Sequence, residues 1–187
     1  MNYYFITGTS RGIGKAIAEK LLNDENARVI GLSRTSSIKH ERYKHVAIDL
    51  RDMEQVQNFA FDQIDDVDKI VLINNSGVLG HVNYVGQLSP DKIIEAYQVN
   101  LIAPVLLINA FLKKYKTLDA SKIIINISSG AARHVINSWS TYCSTKAGLE
   151  MFARVVESEL TELDNRIVKI FSIAPGVVDT QMQTEIR

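Results

Sequence analysis

Residues 3–22, with the sequence YYFITGTSRGIGKAIAEKLL, form the stretch that decides the fold. A short apolar strand pattern runs from Tyr3 to Thr7, a glycine-rich turn follows, and a helical pattern begins directly after the turn. This order is typical of a phosphate site, because glycines let the backbone approach a pyrophosphate and the helix start offers free N–H groups. The spacing is Gly-x-x-x-Gly-x-Gly instead of the commoner Gly-x-Gly-x-x-Gly, and a tight turn that uses glycine for geometry alone is the alternative. The flanking strand and helix favour nucleotide binding.

Strand and helix patterns alternate along the rest of the chain. Apolar runs predict strands at residues 28–34, 45–49, 69–74, 122–128 and 166–174, and helical patterns lie at about 52–64, 89–116 and 141–163. This alternation predicts an α/β fold with a doubly wound parallel sheet (Rossmann fold) and helices on both faces. Together with the glycine turn, it predicts a single NAD(P)-binding domain over residues 1–187. Pro104 lies inside the helical pattern 89–116 and predicts a bend there.

The composition argues against several classes of protein. The chain has 187 residues, 46% of them hydrophobic, and its formal net charge is zero. Its Lys/Arg runs are no longer than two residues, which argues against nucleic acid or an anionic membrane as the main partner. Apolar runs such as residues 101–108 are shorter than a membrane span, and the first residues lack a signal-peptide pattern, so we expect a cytoplasmic protein. The single cysteine, Cys143, is expected to be a buried structural thiol, and we predict no metal site.

The end of the second predicted strand bears on the choice of cofactor. An NAD site usually places an acid about twenty residues past the glycines, where it binds the ribose 2′-hydroxyl. Here that neighbourhood holds Ser33 and Arg34 instead. A cation there can pair with a 2′-phosphate, and Arg11, inside the glycine turn, could join it. Both arginines could also be solvated surface residues, but the missing acid favours NADP.

Polar residues end or interrupt several predicted elements. Asp49 follows the third strand, where it could accept a hydrogen bond from an adenine amino group or cap the next turn. Asn75 and Gly77 follow the fourth strand, and the glycine lets the backbone approach a ligand. Asn100 lies in an otherwise apolar helix, where an amide is costly unless it is hydrogen-bonded. It either satisfies a local backbone group or forms a polar link toward Lys146.

Tyr142 and Lys146 lie four residues apart on the last predicted helix and therefore share one face. Ser129 comes just after the fifth strand, so the strand end presents a hydroxyl to the start of that helix. An unperturbed tyrosine has a pKa of about 10, and a nearby ammonium is expected to lower that pKa toward the working range. The arrangement suits proton transfer to or from a carbonyl or hydroxyl oxygen. Because amphipathic helices also produce Tyr-x-x-x-Lys by chance, this interpretation depends on the nucleotide site.

Several motifs occur in a fixed order along the chain. They are Thr7-Gly8-x-x-x-Gly12-x-Gly14, Asn74-Asn75-Ser76-Gly77, Asn100, Ser129, Tyr142-x-x-x-Lys146 and Pro175-Gly176. Together they resemble the short-chain dehydrogenase/reductase family over essentially the whole chain, although that family usually has alanine where Ser76 stands. Residues 127–132, 142–149 and 175–187 further resemble the sepiapterin reductase and benzil reductase branch, which reduces one carbonyl of a dicarbonyl compound with NADPH.

The resemblance implies a role for each motif. Tyr142 would donate the proton in reduction, and Ser129 would hold the carbonyl oxygen of the substrate. Lys146 would bind the nicotinamide ribose and lower the pKa of Tyr142, while Asn100 would hold a water in a proton relay to Lys146. With Tyr142 and Lys146, the NADP (NADPH) cofactor would be held by Gly8, Ser10, Arg11, Gly12, Ile13, Gly14, Ser33, Arg34, Asp49, Leu50, Asn75, Gly77, Pro175, Gly176, Val178 and Thr180.

The resemblance also bears on how the chain ends and assembles. Members of the family usually continue past the Pro-Gly motif with a helical segment over the substrate and a further strand, so we expect the C-terminal part of the fold to be missing from this sequence. Helices 89–116 and 141–163 carry more apolar surface than one sheet face can cover, and in the family they pair across a two-fold axis. A homodimer or tetramer is therefore predicted, with Phe111, Leu112 and Val155 in the contact.

These features predict an NADPH-dependent carbonyl reductase that transfers hydride to a ketone or 1,2-dicarbonyl substrate, with Tyr142 as proton donor. A non-catalytic NADP-binding regulatory or structural module is the alternative. Such a module would keep the glycine turn, but it would not need Ser129, Tyr142, Lys146 and Asn100 together. Binding of NADPH with or without turnover separates the two.

Overall fold

Parallel strands form the centre of the computed structural model, which describes residues 1–163, 165, 167–176 and 178. Within these residues, six strands pair in one sheet in the order β3-β2-β1-β4-β5-β6. The strands are β1 (Asn2–Thr7), β2 (Ala27–Ser33), β3 (Tyr43–Ala47), β4 (Lys69–Asn74), β5 (Ser121–Ile127) and β6 (Val168–Ile173). The helices are α1 (Gly12–Leu21), α2 (Met53–Asn58), α3 (Pro90–Tyr97), α4 (Ala103–Lys114) and α5 (Ser140–Glu162).

The sheet buries apolar side chains on both faces, as parallel sheets do. On one face, Tyr4 and Ile6 of β1 pack with Ala18 of α1. On the other face, Phe5 packs in a larger cluster with residues of α2, α4 and α5, such as Phe111 and Leu149. The predicted doubly wound sheet with helices on both faces is therefore confirmed.

The chain from Pro90 to Lys114 is helical throughout, but its middle is a π-helical turn, Gln98–Ile102. The Ala103 N–H donates to the carbonyl oxygen of Gln98, five residues back, in place of the usual four. The irregularity predicted at Pro104 thus lies in the turn just before it. Proline has no N–H group and cannot donate to the carbonyl four residues back. A turn that is wider by one residue at this point therefore leaves fewer carbonyl groups without a donor.

This 25-residue helix is long and apolar enough to cross a membrane by length and composition alone. The sequence did not predict a segment long and apolar enough to span a membrane, because its uninterrupted apolar runs are short. Leu107, Ile108 and Phe111 on its inner face are fully buried against the sheet. The prediction that Phe111 lies in a subunit contact is therefore wrong, because its side chain fills the core of one chain.

Helix α2 is shorter than its sequence pattern indicated. It begins after Asp52, whose carboxylate accepts hydrogen bonds from the backbone N–H groups of Glu54 and Gln55, and it ends at Asn58 instead of about residue 64. The backbone is extended at Phe59, and the Phe59 and Phe61 rings meet edge-on with centroids 4.9 Å apart. Phe61 also meets Phe5 in this way at 4.9 Å. Aromatic packing in the core thus replaces the second half of the predicted helix.

The carboxyl ends of the strands define the edge of the sheet that matters for function. The strand order reverses between β1 and β4, and in such sheets ligands bind outside the strand ends at the reversal. Thr7 ends β1, Asn74 ends β4 and Ile127 ends β5. The glycine turn, the Asn-Asn-Ser-Gly motif and Ser129 therefore meet at this edge.

Candidate active site

The glycine turn combines left-handed backbone angles with close packing against its neighbours. Gly8 and Gly12 have φ angles of +75° and +58°, which favour glycine. A Cβ atom on Gly14 would lie 2.4 Å from the carbonyl oxygen of Gly8 and 2.3 Å from Nδ2 of Asn75. Nδ2 of Asn75 in turn donates to the carbonyl oxygen of Thr7 at 2.9 Å. The turn is therefore closed by contacts between the ends of β1 and β4.

The start of α1 faces the same edge. Among the described residues, no side chain caps this helix start, and its first turn carries no acidic residue. Exposed N–H groups and the positive end of the helix dipole are a ready site for a pyrophosphate. The turn with its three glycines leaves room for such a group close to the backbone, so the residues present fit a dinucleotide. Ser10, Arg11 and Ile13, also predicted to contact the cofactor, lie in this turn and the first helical residues.

The end of β2 holds the residues predicted to distinguish NADP from NAD. Arg34 is exposed, whereas Ser33 is buried. The Ser33 hydroxyl donates to the carbonyl oxygen of Thr35 at 2.8 Å and lies 3.2 Å from Oγ1 of Thr9. Nε2 of His45 donates to the Ser33 carbonyl oxygen at 2.8 Å. Ser33 thus ties β2 to the glycine turn and to β3, and Arg34 is the residue whose side chain lies in solvent.

Asp49 and Leu50 follow β3, on the side predicted to bind adenosine. The Asp49 carboxylate accepts hydrogen bonds from the Arg51 side chain, at 3.0 Å from Nε to Oδ1, and this pairing holds the pKa of Asp49 below its usual range. This role of Arg51 was not predicted from the sequence, although an arginine two residues after an aspartate is close enough in sequence to form an ion pair with it. Leu50 is buried in the larger core cluster.

Tyr142 and Lys146 lie on the buried face of α5, and their side chains are only 7% and 4% exposed. The Lys146 Nζ atom lies 5.7 Å from the centroid of the Tyr142 ring and donates to the Ile127 carbonyl oxygen at 2.9 Å. Burial lowers the pKa of Lys146 to about 8. The predicted pair is therefore brought together at the end of β5.

The pKa of Tyr142 moves in the direction opposite to the one expected from the sequence. Burial raises it, and the nearby Ser129 side chain lowers it by less. The expectation that Lys146 would dominate is wrong for this arrangement, because the lysine ammonium is directed at the Ile127 carbonyl and burial is the larger effect. A tyrosine with a raised pKa holds its proton at neutral pH.

Ser129 stands between β5 and the short 3-10 turn Gly130–Ala132. Its hydroxyl oxygen accepts a hydrogen bond from the Ala131 N–H at 3.2 Å, which caps that turn. The same side chain lies close enough to the Tyr142 phenol to lower the pKa of the tyrosine. The structure thus brings Ser129 and Tyr142 together.

Asn100 is fully buried in the π-helical turn. Its Oδ1 atom accepts from the Val78 N–H at 2.8 Å, and its Nδ2 atom donates to the Val78 carbonyl oxygen at 2.8 Å and to Oγ1 of Thr145 at 3.2 Å. The side chain therefore satisfies backbone groups, which was the first of the two sequence interpretations. A Cβ atom on Gly77 would lie 3.5 Å from Oδ1 of Asn100 and 3.6 Å from Nζ of Lys146, so both polar groups border this glycine.

The remaining predicted cofactor residues follow β6. Pro175 and Gly176 are exposed, Gly176 has a φ of +77°, and Val178 is half-buried. Thr180 lies outside the described residues. One residue that the sequence did not single out, Glu150, lies on α5 four residues after Lys146 and contacts the end of β5.

A cavity of about 520 Å³ lies near the site; Ala131 and Cys143, which pack with Tyr142, line it, whereas Ser129, Tyr142 and Lys146 do not. It is bounded by residues 83–85, residues 131–138 and the first turns of α5. Val85, Val135 and Ile136 supply exposed apolar side chains to its wall, and Cys143, next to Tyr142, lines it as well. Cys143 is half-buried, so the expectation of a buried thiol is only partly met.

The chain belongs to the short-chain dehydrogenase family, whose sequence profile, described as short chain dehydrogenase, matches residues 2–187. It is therefore an oxidoreductase of the kind that interconverts CH–OH and C=O groups with a nicotinamide cofactor. The family predicted from the motifs, and its benzil and sepiapterin reductase branch, are confirmed by the relatives below.

Two curated relatives and one solved structure illustrate the similarity. Benzil reductase ((S)-benzoin forming) of Bacillus subtilis is 40% identical in an alignment 195 positions long, which covers 100% of this chain and 79% of the relative. Sepiapterin reductase of Xenopus laevis is 30% identical in an alignment 198 positions long, which covers 95% of this chain and 73% of the relative. The crystal structure of the KRED1-Pglu enzyme superposes with a TM-score of 0.85 at 29% identity, covering 100% of this chain and 79% of that one.

Proposed function

We propose that this chain is an NADPH-dependent carbonyl reductase that transfers hydride to a ketone or a 1,2-dicarbonyl compound. The observation that carries the proposal is the meeting of Ser129, Tyr142 and Lys146 at the end of β5, beside a glycine turn that fits a dinucleotide. The names of the benzil and sepiapterin reductases among its relatives support a dicarbonyl substrate.

The proposed chemistry divides between the cofactor and the protein. Bound NADPH supplies the hydride that attacks the carbonyl carbon. As negative charge develops on the carbonyl oxygen, the Tyr142 hydroxyl donates its proton to that oxygen. The Ser129 hydroxyl donates a hydrogen bond to the same oxygen and holds it in place. Lys146 binds the nicotinamide ribose, and Asn100 holds the local backbone so that a water can relay protons toward Lys146.

The pKa of Tyr142 is compatible with reduction as the working direction. Burial raises that pKa, so the phenol carries its proton at neutral pH. A proton donor must be protonated before the reaction, whereas a base for alcohol oxidation must be ionised. The site as built therefore starts in the form that reduction needs.

The preference for NADP over NAD rests on two cations and on a missing acid. Arg34 extends into solvent at the end of β2, and Arg11 precedes the first helical residue of α1. Guanidinium groups bind phosphate through paired hydrogen bonds, which suits the ribose 2′-phosphate. The position where a carboxylate would hold the 2′-hydroxyl of NAD is occupied by Ser33, whose hydroxyl is engaged with Thr35 and Thr9.

The cavity beside Tyr142 supports substrates with a bulky apolar substituent. Its wall is largely apolar, with Val85, Val135 and Ile136 on the loops and Ala131 under them. Pockets for small molecules are mostly apolar with few polar groups, and a volume of about 520 Å³ is in their usual range. A dicarbonyl whose second substituent is an aromatic ring would place that ring here.

Assembly and location remain predictions. We infer a homodimer or tetramer from exposed apolar side chains on the long helices, since Ile94, Ile102, Met151 and Val155 are all exposed in the single chain. Of the residues predicted for the contact, Val155 is exposed, Leu112 is half-buried and Phe111 is excluded. A cytoplasmic location is consistent with the sequence alone.

The direct test is oxidation of NADPH, followed by absorbance, with a panel of 1,2-diketones, pterin carbonyls and quinones. Tyr142→Phe should lower kcat by about 100-fold or more, because proton donation typically contributes that much, and it should change the Kd for NADPH far less than it changes kcat. Tyr3→Phe, which removes a distant phenol hydroxyl, is the matched control and should leave turnover unchanged. Full turnover by Tyr142→Phe would contradict the proposal. NADPH binding with no turnover of any panel member would support the non-catalytic module.

A further inference from the structure

Three residues on one face of α5 each contact the end of β5. Tyr142, Lys146 and Glu150 are spaced by four residues and so lie above one another. Tyr142 lies close enough to the Ser129 side chain for the serine to lower its pKa, Lys146 donates to the Ile127 carbonyl oxygen, and Glu150 accepts from the Ser128 hydroxyl. Three consecutive residues of the strand end, 127–129, are thereby tied to three successive turns of the helix. Two of these contacts belong to the site already described, and the third does not.

The Glu150 carboxylate uses both of its oxygens in this contact. Oε1 accepts from Oγ of Ser128 at 2.8 Å, and Oε2 accepts from Nε of Arg133 at 3.0 Å. The Glu150 side chain is only 13% exposed, and Ser128 is buried. A carboxylate that is buried to this extent stays ionised only if its oxygens accept hydrogen bonds, because burial of an unpaired charge is costly.

The two partners of Glu150 lie on either side of Ser129. Ser128 precedes it, and Arg133 follows the 3-10 turn that the Ser129 hydroxyl caps. One carboxylate therefore holds both ends of the six-residue segment 128–133. Because Ser129 is fixed by its own turn and the turn is fixed at both ends, the position of its hydroxyl depends on Glu150.

We propose that Glu150 is a positioning residue that holds the Ser128–Arg133 segment and thereby sets the place of the Ser129 hydroxyl relative to Tyr142. This inference rests on the proposed function, in which Ser129 and Tyr142 act on the same carbonyl oxygen. Glu150 itself does not touch the substrate. Its effect on the reaction comes through Ser129, and a misplacement of about 1 Å in such a group can cost about 100-fold in rate.

The ion pair with Arg133 is the weaker half of the contact. The Arg133 side chain is 70% exposed, and exposed ion pairs contribute little to stability. The bond to the buried Ser128 hydroxyl is the one that reaches the strand end. A variant that keeps an acceptor for Ser128 and loses only the charge should therefore keep the position of Ser129.

Glu150→Gln and Glu150→Ala separate these contributions. The amide oxygen of glutamine can still accept from Ser128, so we expect Glu150→Gln to keep kcat within about threefold of the wild type. Glu150→Ala should lower kcat by about 10- to 100-fold and leave the Kd for NADPH within about twofold, because the glycine turn is untouched. The double variant Ser128→Ala/Glu150→Ala should have the same kcat as Glu150→Ala alone, since both substitutions remove the same hydrogen bond. Glu157→Gln, an exposed acid on the same helix, is the control and should keep wild-type kinetics.

A second measurement makes the result independent of turnover. NMR of an isotope label at Cζ of the tyrosines reports the surroundings of the Tyr142 hydroxyl, including the approach of Ser129. The Tyr142 signal is assigned through Tyr142→Phe. Glu150→Ala should shift that signal, whereas Glu150→Gln and Glu157→Gln should leave it in place. If the wild type reduces none of the carbonyls tested, the proposed function fails but this shift still tests the positioning. An unmoved Tyr142 signal in a folded Glu150→Ala, or equal losses of kcat in the alanine and glutamine variants, would overturn the inference.

Discussion

Lys146 donates from Nζ to the Ile127 carbonyl oxygen across 2.9 Å, which holds a buried ammonium against the last residue of β5. The backbone carbonyl stabilises the charge only in part, since burial still lowers the pKa of Lys146 from 10.5 to about 8. The lysine is therefore charged at neutral pH but loses its proton well before an exposed lysine would. Both the stability of the fold and the charge near Tyr142 depend on this contact.

The pH dependence of unfolding should reveal the buried ammonium. The folded pKa of Lys146 is lower than the unfolded one, so the unfolded chain binds more protons between about pH 8 and 10.5, and stability must rise with pH in that window. The penalty for burying the charge is fully present below pH 8. Compared with Lys146→Met, the wild type should gain up to about 3 kcal/mol of unfolding free energy across the window. Denaturant unfolding of both proteins from pH 7 to 10 measures it, and parallel curves would refute the lowered pKa.

Removal of Arg34 should weaken NADPH much more than NADH. A charge-assisted hydrogen bond typically contributes about 1.5–3 kcal/mol, which corresponds to about 10- to 100-fold in Kd. Since NADH lacks the 2′-phosphate, its affinity for Arg34→Ala should change by less than about twofold. Titration of cofactor fluorescence gives both constants, and Lys39→Ala removes an exposed cation nearby as the control. Equal affinity of the wild type for the two cofactors would contradict the NADP preference.

A negative charge on the cavity wall should raise the KM of large apolar substrates and leave the KM of small ones unchanged. Val135 lines the cavity and is 95% exposed in the single chain, so Val135→Asp changes the wall without disturbing the core. For an aryl 1,2-diketone, the KM should rise by about tenfold, because apolar burial of one such side chain contributes about 1.5–3 kcal/mol. For diacetyl, which has no ring, the KM should stay within about twofold.

The matched control for this substitution is Val82→Asp, since Val82 is also exposed but does not line the cavity. It should leave both KM values unchanged. The same loss for diacetyl as for the aryl diketone would show that the cavity does not bind the substituent.

Val155→Asp should dissociate the predicted oligomer. Val155 is 48% exposed on α5, and a carboxylate in a symmetric contact meets its own copy across the two-fold axis. In sedimentation at micromolar concentration, the wild type should be a dimer or tetramer and the variant a monomer. Thr161→Asp adds the same charge near the end of α5 and should not change the assembly. A monomeric wild type would contradict the prediction.

Local features of the site could be predicted from the sequence because they depend on residue types near one another. The glycine turn follows from the spacing of Gly8, Gly12 and Gly14 between a strand and a helix, and the structure gives two of them φ angles that favour glycine. The meeting of Tyr142 with Ser129 followed from the strand and helix order, because parallel strands end at one edge. The roles of these residues remain predictions.

Features that depend on long-range packing could not be predicted in this way. The end of α2 at Asn58 is set by Phe61, whose ring finds its partners on β1 and α4. The direction in which the pKa of Tyr142 shifts depends on how deeply its side chain on α5 is buried, and the Tyr-x-x-x-Lys pattern does not reveal that burial. Glu150 did carry a signal, its spacing of four from Lys146, but acids at helical spacing are common on exposed faces. Glu150 differs from such exposed acids only in its contact with Ser128, which lies 22 residues earlier in the sequence.

The central place of β1 in the sheet has a consequence for the nascent chain. Asn2 pairs with Ala27 on one side and with Lys69 on the other. One edge of β1 is therefore covered early in synthesis, while the other stays open until β4 has been made. A ribosome adds about 5–20 residues per second, so the wait lasts several seconds. An open strand edge is a template for pairing with another chain, so this is the interval in which the emerging polypeptide most needs shielding by chaperones.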